Sequence, residues 1–473
     1  MARTKVVAIL LGPEGIGLVS LYQSIIDLVG NVAGLGIASS GVREVAEACA
    51  SNDSRRIAVA TQTLKRLSWL TGLLGWLVTA ALSYPLSQWI LGSHLHAGSI
   101  ALLGASLLFT MASGGQMACI QGMRRIGDLA KLQILSMCTS TAVAIGIYFW
   151  LREKGILPVL ISSAIISFAG SWWYTSKLRI EKIDLDWIST WQNSKRLIEL
   201  GIAFMWSALM TAGVAFAIRA MITRDLGIEA NGIFQSAWAI SGMFAGFILS
   251  AMGTDFYPRL SAVSHDNALV NKMVNEQTEI GILLALPGLV GTIVFAPIVM
   301  KFFYSAKFVA GADLLPWMVL GILFKIISWP MGFIQLAKGA TRWFVASETI
   351  FGISQLLLSA ILLKTFGLQG AAYSFATLYG IHTFAMLIVS QRLSHFAWNT
   401  HAIRLLLLSL FLVAITLFIE KWTHKIPDFN IGIILFLLTF FICIREIVTR
   451  TSIFNFLFEK FPSIKFLLKK HSK

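Results

Sequence analysis

Apolar residues in this chain neither alternate with polar ones nor mark single helix faces; they come in long runs. Runs fall at 15–36, 67–91, 98–121, 130–151 and 155–175, then, after a polar stretch, at 199–222, 231–256, 278–303, 314–336, 343–364, 369–391, 402–420 and 430–446. About 20 apolar residues carry a helix across hydrocarbon roughly 30 Å thick. Each of these thirteen runs therefore predicts a membrane-spanning helix. A fourteenth candidate, Val6 to Leu11, is too short to span as it stands. The pattern predicts an all-α polytopic membrane protein of fourteen helices or nearly so.

Composition strengthens that reading. The chain has 473 residues, 56% hydrophobic and 13% charged, with a mean hydropathy of +0.76. A soluble domain carries about 25% charged residues. The net charge of +15 would suggest nucleic acid in a soluble protein. Here the cations gather in alternate connections, as in cytoplasmic loops. Arg43, Arg55, Arg56, Lys65 and Arg66 separate the first two runs, and the next connection, around His94 and His96, has no Lys or Arg. Arg124, Arg125 and Lys131 follow, then only Arg152 and Lys154, then Lys177, Arg179, Lys182, Lys195 and Arg196 in the 176–198 stretch. This alternation places both termini and the 176–198 stretch in the cytoplasm and makes nucleic acid an unnecessary partner. Segment 453–470 mixes Phe and Leu with Lys460, Lys465, Lys469 and Lys470; it reads as an amphipathic tail on anionic lipid or as a solvated end.

Several function classes drop out. Cys49, Cys119, Cys138 and Cys443 are scattered and lack the spacing of a disulfide framework or zinc site. Met1 to Gly12 lacks the cleavage site of a secretory signal. The glycine-rich Gly12-Pro-Glu-Gly-Ile-Gly17 follows no strand and precedes no GK[ST], so it is not a nucleotide loop. Without a Walker motif the chain is not an ATP-driven pump by itself. His94 and His96 have no nearby carboxylate to complete a metal site. No Ser-His-Asp or paired-Glu arrangement is recognisable.

The chain also repeats itself. Leu11-Gly-Pro-Glu-Gly-Ile-Gly17 recurs as Leu226-Gly-Ile-Glu-Ala-Asn-Gly232, an offset of 215 residues. Met117, Ile120, Gln121 and Arg124 align with Met331, Ile334, Gln335 and Lys338 at an offset of 214. A six-span offset preserves orientation, so the expected domains are two parallel six-helix lobes, 1–198 and 199–391. Residues 392–473 would add two helices and the basic tail. Two similar lobes about a central site suit alternating access by rocking.

Leu11-Gly-Pro-Glu-Gly-Ile-Gly-Leu18, Tyr22-Gln-Ser24 and Gly36-Ile-Ala-Ser-Ser-Gly-Val-Arg43 resemble the polysaccharide-specific transporters of the multidrug/oligosaccharidyl-lipid/polysaccharide (MOP) exporter superfamily, above all the Wzx-type O-antigen flippases. Phe256-Tyr-Pro-Arg-Leu260 and Gly367-Leu-Gln-Gly-Ala-Ala372 fit the same pattern. The resemblance implies movement of an undecaprenyl-diphosphate-linked oligosaccharide, such as an O-antigen repeat unit, across the bacterial inner membrane. It implies no cofactor beyond a coupling proton or sodium ion, and, besides membrane lipids, a polysaccharide polymerase and a chain-length regulator as partners. The motifs specify the family rather than the sugar. The family usually has a complete first helix before the Leu-Gly-Pro turn; here about half of it is absent, as a misplaced start codon or a genuine truncation would produce.

Charges inside spans are costly and face a cavity or a partner. Lys325, near mid-span, would bind diphosphate or an acidic sugar, or else pair with a carboxylate. Asp27 would take up a coupling ion or neutralise Lys325 or Arg219. Arg219 sits nearer the extracytoplasmic end, where its side chain can reach water or substrate. Gln23, Gln121, Gln335 and Asn231 would hydrogen-bond sugar hydroxyls or join helices. Arg43 and Arg259 occupy similar places in the two repeats and would meet the diphosphate at the cytoplasmic mouth or simply anchor it. Trp172, Trp173, Trp317 and Trp329 read as interfacial or packing aromatics first and as sugar-stacking faces second. Rival functions are a multidrug extruder of the same superfamily, which should present carboxylates to organic cations, a membrane-embedded glycan polymerase or ligase, and a scaffold for polysaccharide enzymes. A polymerase or ligase would more often carry a large extracytoplasmic loop than this chain does.

Overall fold

In hydrocarbon every backbone N–H and C=O must be satisfied within the segment, and the helix achieves this. The computed structural model describes residues 2–51, 53–178, 180–181, 183, 185–423 and 429–450; the tail expected at 453–470 lies outside them. All regular structure among the described residues is helical. The first helices are α1 (Ala2–Ala33), α2 (Ile37–Ala50), α3 (Ser54–Leu91), α4 (Ala97–Gly122), α5 (Ile126–Leu151), α6 (Ile156–Ser176) and α7 (Trp187–Leu226). They are followed by α8 (Ile228–Ala262), α9 (Asn267–Val294), α10 (Ala296–Phe303), α11 (Leu315–Ala337) and α12 (Thr341–Phe366). The last are α13 (Leu368–Ser394), α14 (Thr400–Thr423) and α15 (Phe429–Arg450). Among the described residues eleven helical stretches are long and apolar enough to cross a membrane, one of which, Ile126–Ser176, holds both α5 and α6. The chain is an all-α, multi-pass membrane protein.

Three helices start where the sequence supplies an aspartate to accept the unpaired first-turn N–H groups. Asp53 accepts from Arg55 N at 2.9 Å and Arg56 N at 3.3 Å; Asp266 accepts from Ala268 N at 2.8 Å and Leu269 N at 3.1 Å. Asp186 caps α7 through Ser189 N at 3.2 Å, and hydrogen bonds from Ser189 hold its carboxyl below the usual carboxylate range. Because of that cap α7 begins at Trp187, twelve residues before the apolar run, inside what reads as a polar connector. The run at 278–303 is likewise divided, at Phe295, between α9 and α10. The short Val6–Leu11 run is no separate span but the start of α1, which is broken only at Gly12.

The helices form two compact units. Among the described residues the first comprises those of 2–236, 301–308 and 347–368; the second comprises those of 237–300, 309–346, 369–423 and 429–450. In the first, small residues let helix backbones approach, the usual means of association where lipid removes the hydrophobic drive. Gly72 of α3 faces Leu108 of α4, Gly104 faces Trp76, and Gly115 faces Ser68. The second unit is centred on α9 and α11, where Ile282, Leu286, Val290, Leu323, Ile326 and Ile327 pack with Leu405 and Val413 of α14 and Cys443 of α15.

The repeat is written in the backbone. Gly12 (φ 66°, ψ −168°) and Gly227 (φ 94°, ψ 167°) share a conformation open essentially to glycine alone. Arg124 (φ 56°) and Gly339 (φ 65°) are the left-handed residues that end α4 and α11. Each is followed by the N–H to C=O bond of a Schellman cap, Arg125 to Ile120 at 3.1 Å and Ala340 to Gln335 at 2.8 Å. Arg152 (φ 47°) and Gly367 (φ 58°) follow α5 and α12. All three pairs are 215 residues apart. The cap geometry thus aligns Ile120 with Gln335, one residue away from the register suggested by matching Gln121 to Gln335.

The two glycine turns also touch, within the first unit. A Cβ on Gly17 would strike the carbonyl oxygen of Ile228, and a Cβ on Gly232 would strike that of Pro13. These contacts are reciprocal under the 215-residue offset. Asn231, fully buried, completes the junction by donating to Gly17 O at 3.0 Å and Ser20 Oγ at 3.1 Å. Gly232→Ala should therefore lower stability by about 1–3 kcal/mol through overpacking, and Asn231→Ala by a similar amount, about 1–3 kcal/mol, through lost buried hydrogen bonds. Gly242→Ala, where a Cβ meets nothing within 4 Å, should leave the Tm in detergent unchanged. Equal Tm values for the Gly232 and Gly242 variants would contradict the junction.

Candidate functional site

Polar residues recur every fourth position on two helices of the first unit, and on a helix such residues share one face. α1 supplies Gln23, Asp27 and Asn31; α7 supplies Ser207, Thr211 and Arg219, with Ala215 in the fourth place. α4 adds Ser106, Thr110 and Ser113, α6 adds Ser163 and Ser167, α2 adds Ser39, and Arg3 joins from the start of α1. All line one cavity of about 960 Å³. Gln23 and Asp27 are exposed in it although their neighbours Tyr22, Ser24, Ile25 and Ile26 are buried.

Two guanidinium groups, Arg3 and Arg219, and one carboxylate, Asp27, give the lining a net positive charge. Gln23 Nε2 donates to Asp27 Oδ1 at 2.9 Å, and Arg219 Nε donates to Gln235 Oε1 at 3.0 Å. Asn31 Nδ2 makes a long bond to Ala208 O, 3.4 Å. Asp27 and Arg219 thus each lean on a neutral amide, and no ion pair within 4.0 Å joins the two among the described residues. The remaining lining is largely hydroxyl and small apolar groups. Such a chamber offers hydrogen bonds to a hydroxyl-rich, anionic guest while its helices present apolar side chains outward.

The other candidates from the sequence are not part of this chamber's lining. Lys325, in the second unit, is half-buried, with Nζ 5.6 Å from the centre of the Tyr379 ring. His382 stands in the same neighbourhood, its Nδ1 3.1 Å from Ser328 Oγ. Gln335 is 1% exposed, with Nε2 3.4 Å from Met386 Sδ, and so helps hold α11 to α13. Arg43 is exposed on α2 and paired with Glu47 at 2.9 Å, and Arg259 is exposed on α8. Gln121 is exposed at the end of α4. Of the aromatics, Trp317 packs edge-on against Tyr373 and Trp329 against Phe333, while Trp172 and Trp173 are exposed. His94 and His96 are engaged separately, with Tyr84 and Tyr22 respectively. The hydroxyl lining and Arg3 escaped the sequence reading. Ser106 and Thr110, Ser163 and Ser167, and Ser207 and Thr211 are each spaced by four, but such spacing is common in membrane helices and does not single them out, and no pattern marks Arg3.

A multi-pass helical bundle around a polar chamber is the architecture of a membrane transporter, and solved structures bear that out for the fold. The chain is similar to the inward-facing conformation of a multidrug resistance MATE family transporter of the MOP superfamily, with a TM-score of 0.64 at 16% identity, covering 82% of this chain and 92% of that one. It is also similar to the lipid II flippase MurJ in an inward closed conformation, with a TM-score of 0.62 at 15% identity, covering 92% and 97%. Among curated proteins it is similar to the lipid III flippase of Escherichia coli (strain K12), 20% identical over 386 residues, or 80% of this chain and 90% of the relative. The fold is thus that of the MOP-superfamily transporters. By its sequence the chain belongs to the polysaccharide biosynthesis protein family, which it matches over residues 6–312.

If the chamber is water-filled, cysteines placed on it should be open to polar reagents. In a variant lacking the four native cysteines, Thr211→Cys and Ser167→Cys should react with a charged methanethiosulfonate about tenfold or more faster than Ile134→Cys. Ile134 is 63% exposed on α5 but lines no polar chamber. Equal rates at all three positions would contradict the assignment.

Proposed function

We propose that the chain is a flippase for polyprenyl-diphosphate-linked oligosaccharide, with O-antigen repeat units as the cargo, working in the bacterial inner membrane. The observation that carries this reading is the hydroxyl-lined, net-cationic chamber of the first unit. Sugar hydroxyls leaving water need replacement hydrogen bonds, and a diphosphate entering a site of low dielectric needs cations. The polyprenyl tail can stay in lipid while the head group passes. Family membership and the similarity to flippases of lipid-linked substrates support the same reading.

In this proposal Arg219 and Arg3 meet the anionic head, Gln23 meets sugar hydroxyls, and Asp27 binds the coupling proton or sodium ion. Lys325 serves as a cationic ligand for diphosphate or an acidic sugar. Arg43 and Arg259 receive the diphosphate at the cytoplasmic mouth, and Gln335 holds helices rather than cargo. Both termini face the cytoplasm by the positive-inside rule, and a polymerase and a chain-length regulator act on the delivered units. A second reading, export of organic cations, draws on the Asp27 carboxylate within the chamber.

Complementation of a deletion strain separates the two. Arg219→Gln should reduce surface polysaccharide about tenfold or more, as expected for losing a charged hydrogen-bond partner worth ~1.5–3 kcal/mol. Arg219→Lys should restore part of it, and drug susceptibility should not change. Full surface polysaccharide in the Arg219→Gln strain, with drug sensitivity appearing when Asp27 becomes Asn, would favour the extruder.

A further inference from the structure

The first unit holds a second polar cavity, of about 930 Å³, which the chamber above does not include. Its size lies within the roughly 300–1,000 Å³ of small-molecule sites. α3 and α7 both start beside the basic stretches and run for 38 and 40 residues, about 57–60 Å at 1.5 Å per residue. The cavity is built at their far ends, from Tyr84, Gln88 and Trp89 on α3 and Thr223 and Arg224 on α7. Glu14 comes from the first glycine turn, and Gly227 and Ile228 come from the second, so both copies of the repeated motif meet at this site.

The side chains form a specific chemical set. Trp89 and Tyr84 are 51% and 58% exposed. The Tyr84 ring is held parallel to His94, with centroids 4.2 Å apart and Oη 3.2 Å from Nε2. Around these rings stand a carboxylate, a carboxamide and a guanidinium, all able to take two hydrogen bonds side by side. Glu14 and Arg224 make no ion pair with each other among the described residues. The hydroxyl of Thr223, a residue only 5% exposed, is buried without a hydrogen-bond partner. Buried polar groups are nearly always partnered, and this one borders the cavity.

We propose that this cavity is a saccharide-binding subsite on the extracytoplasmic side, in which Trp89 and Tyr84 stack on sugar rings while Glu14, Gln88 and Arg224 hydrogen-bond their hydroxyls. A pyranose presents an apolar C–H face beside pairs of neighbouring hydroxyls, which matches a lining of aromatic faces and paired polar groups. An anion alone would satisfy Arg224 but leave Glu14 and the aromatic faces without a partner, and an apolar guest would leave Glu14, Gln88 and Arg224 unused. The assignment deepens the flippase reading and rests on it for the identity of the sugar: the site would hold the glycan part of the cargo as it emerges.

Saturation-transfer NMR on the full chain in nanodiscs tests this directly. The probe is the free oligosaccharide released by mild acid from the host's polyprenyl-diphosphate pool. Saturation should pass to its ring protons, and the affinity should fall about tenfold in Trp89→Ala, the scale of a lost aromatic contact. Trp89→Phe should retain most of the binding, Glu14→Gln should weaken it, and Ile134→Ala, on α5 and in the lining of neither cavity, should leave it intact. No transfer with the native chain, or native affinity retained in both Trp89→Ala and Glu14→Gln, overturns the subsite; a lower Tm for Trp89→Ala with unchanged saccharide affinity would mark Trp89 as an interfacial anchor and overturn it too. The two readings fail separately. Trp89-dependent binding would support the subsite even if the deletion strain showed no transport defect, and a transport defect with no Trp89-dependent binding would remove the subsite and leave the flippase.

Discussion

Hydrocarbon offers no partner to a polar group, and that constraint orders the whole molecule. It requires helices, because only they satisfy their own backbone within one segment. It also sends polar side chains inward, where they must find one another or water. Gln23, Asp27 and Asn31 follow this rule on α1, as do Ser207, Thr211 and Arg219 on α7. The chamber they share is a place where polarity is tolerated inside an apolar body. A hydroxyl-rich, charged head group faces the same cost in crossing a bilayer, so the feature that makes the chamber stable is also what makes it useful.

The repeat supplies the framework for that arrangement. Its most durable traces are positions where the backbone needs a rare conformation rather than runs of identical residues. Gly12 and Gly227 turn the chain with a φ and ψ that side chains resist, and Gly17 and Gly232 let the two turns press backbone to backbone. Asn231 spends its amide on that junction, so it acts as a strut rather than a sugar ligand. Above the junction the same two turns contribute Glu14, Gly227 and Ile228 to the second cavity.

Much of this was legible in the sequence, because hydrophobic run length is a strong signal and membranes enforce it. The class, the multi-pass character and the repeated glycine turns all follow from residues read in order. The exact helix limits were less legible. α7 starts at Trp187 because Asp186 caps it, a local interaction that an apolar run does not record, and Gly12 bends one helix where the runs suggest two pieces. In the chamber, the charged Asp27 and Arg219 stood out at once, being rare inside spans. The hydroxyls did not, since Ser and Thr are common in membrane helices and satisfy themselves on their own backbone, as Ser20 does on Gly17 O and Ser24 on Ser20 O. Only the way four helices bring their hydroxyl-bearing faces together reveals them as a lining.

The most direct test of the account is the location of the cargo when the protein is missing. Polyprenyl-diphosphate oligosaccharides from a deletion strain can be measured by mass spectrometry after separating them by leaflet accessibility. A flippase predicts complete units accumulating on the cytoplasmic face, with surface polysaccharide lost. Complete units already facing outwards and left unpolymerised, or a pool indistinguishable from that of the parent strain, would contradict it.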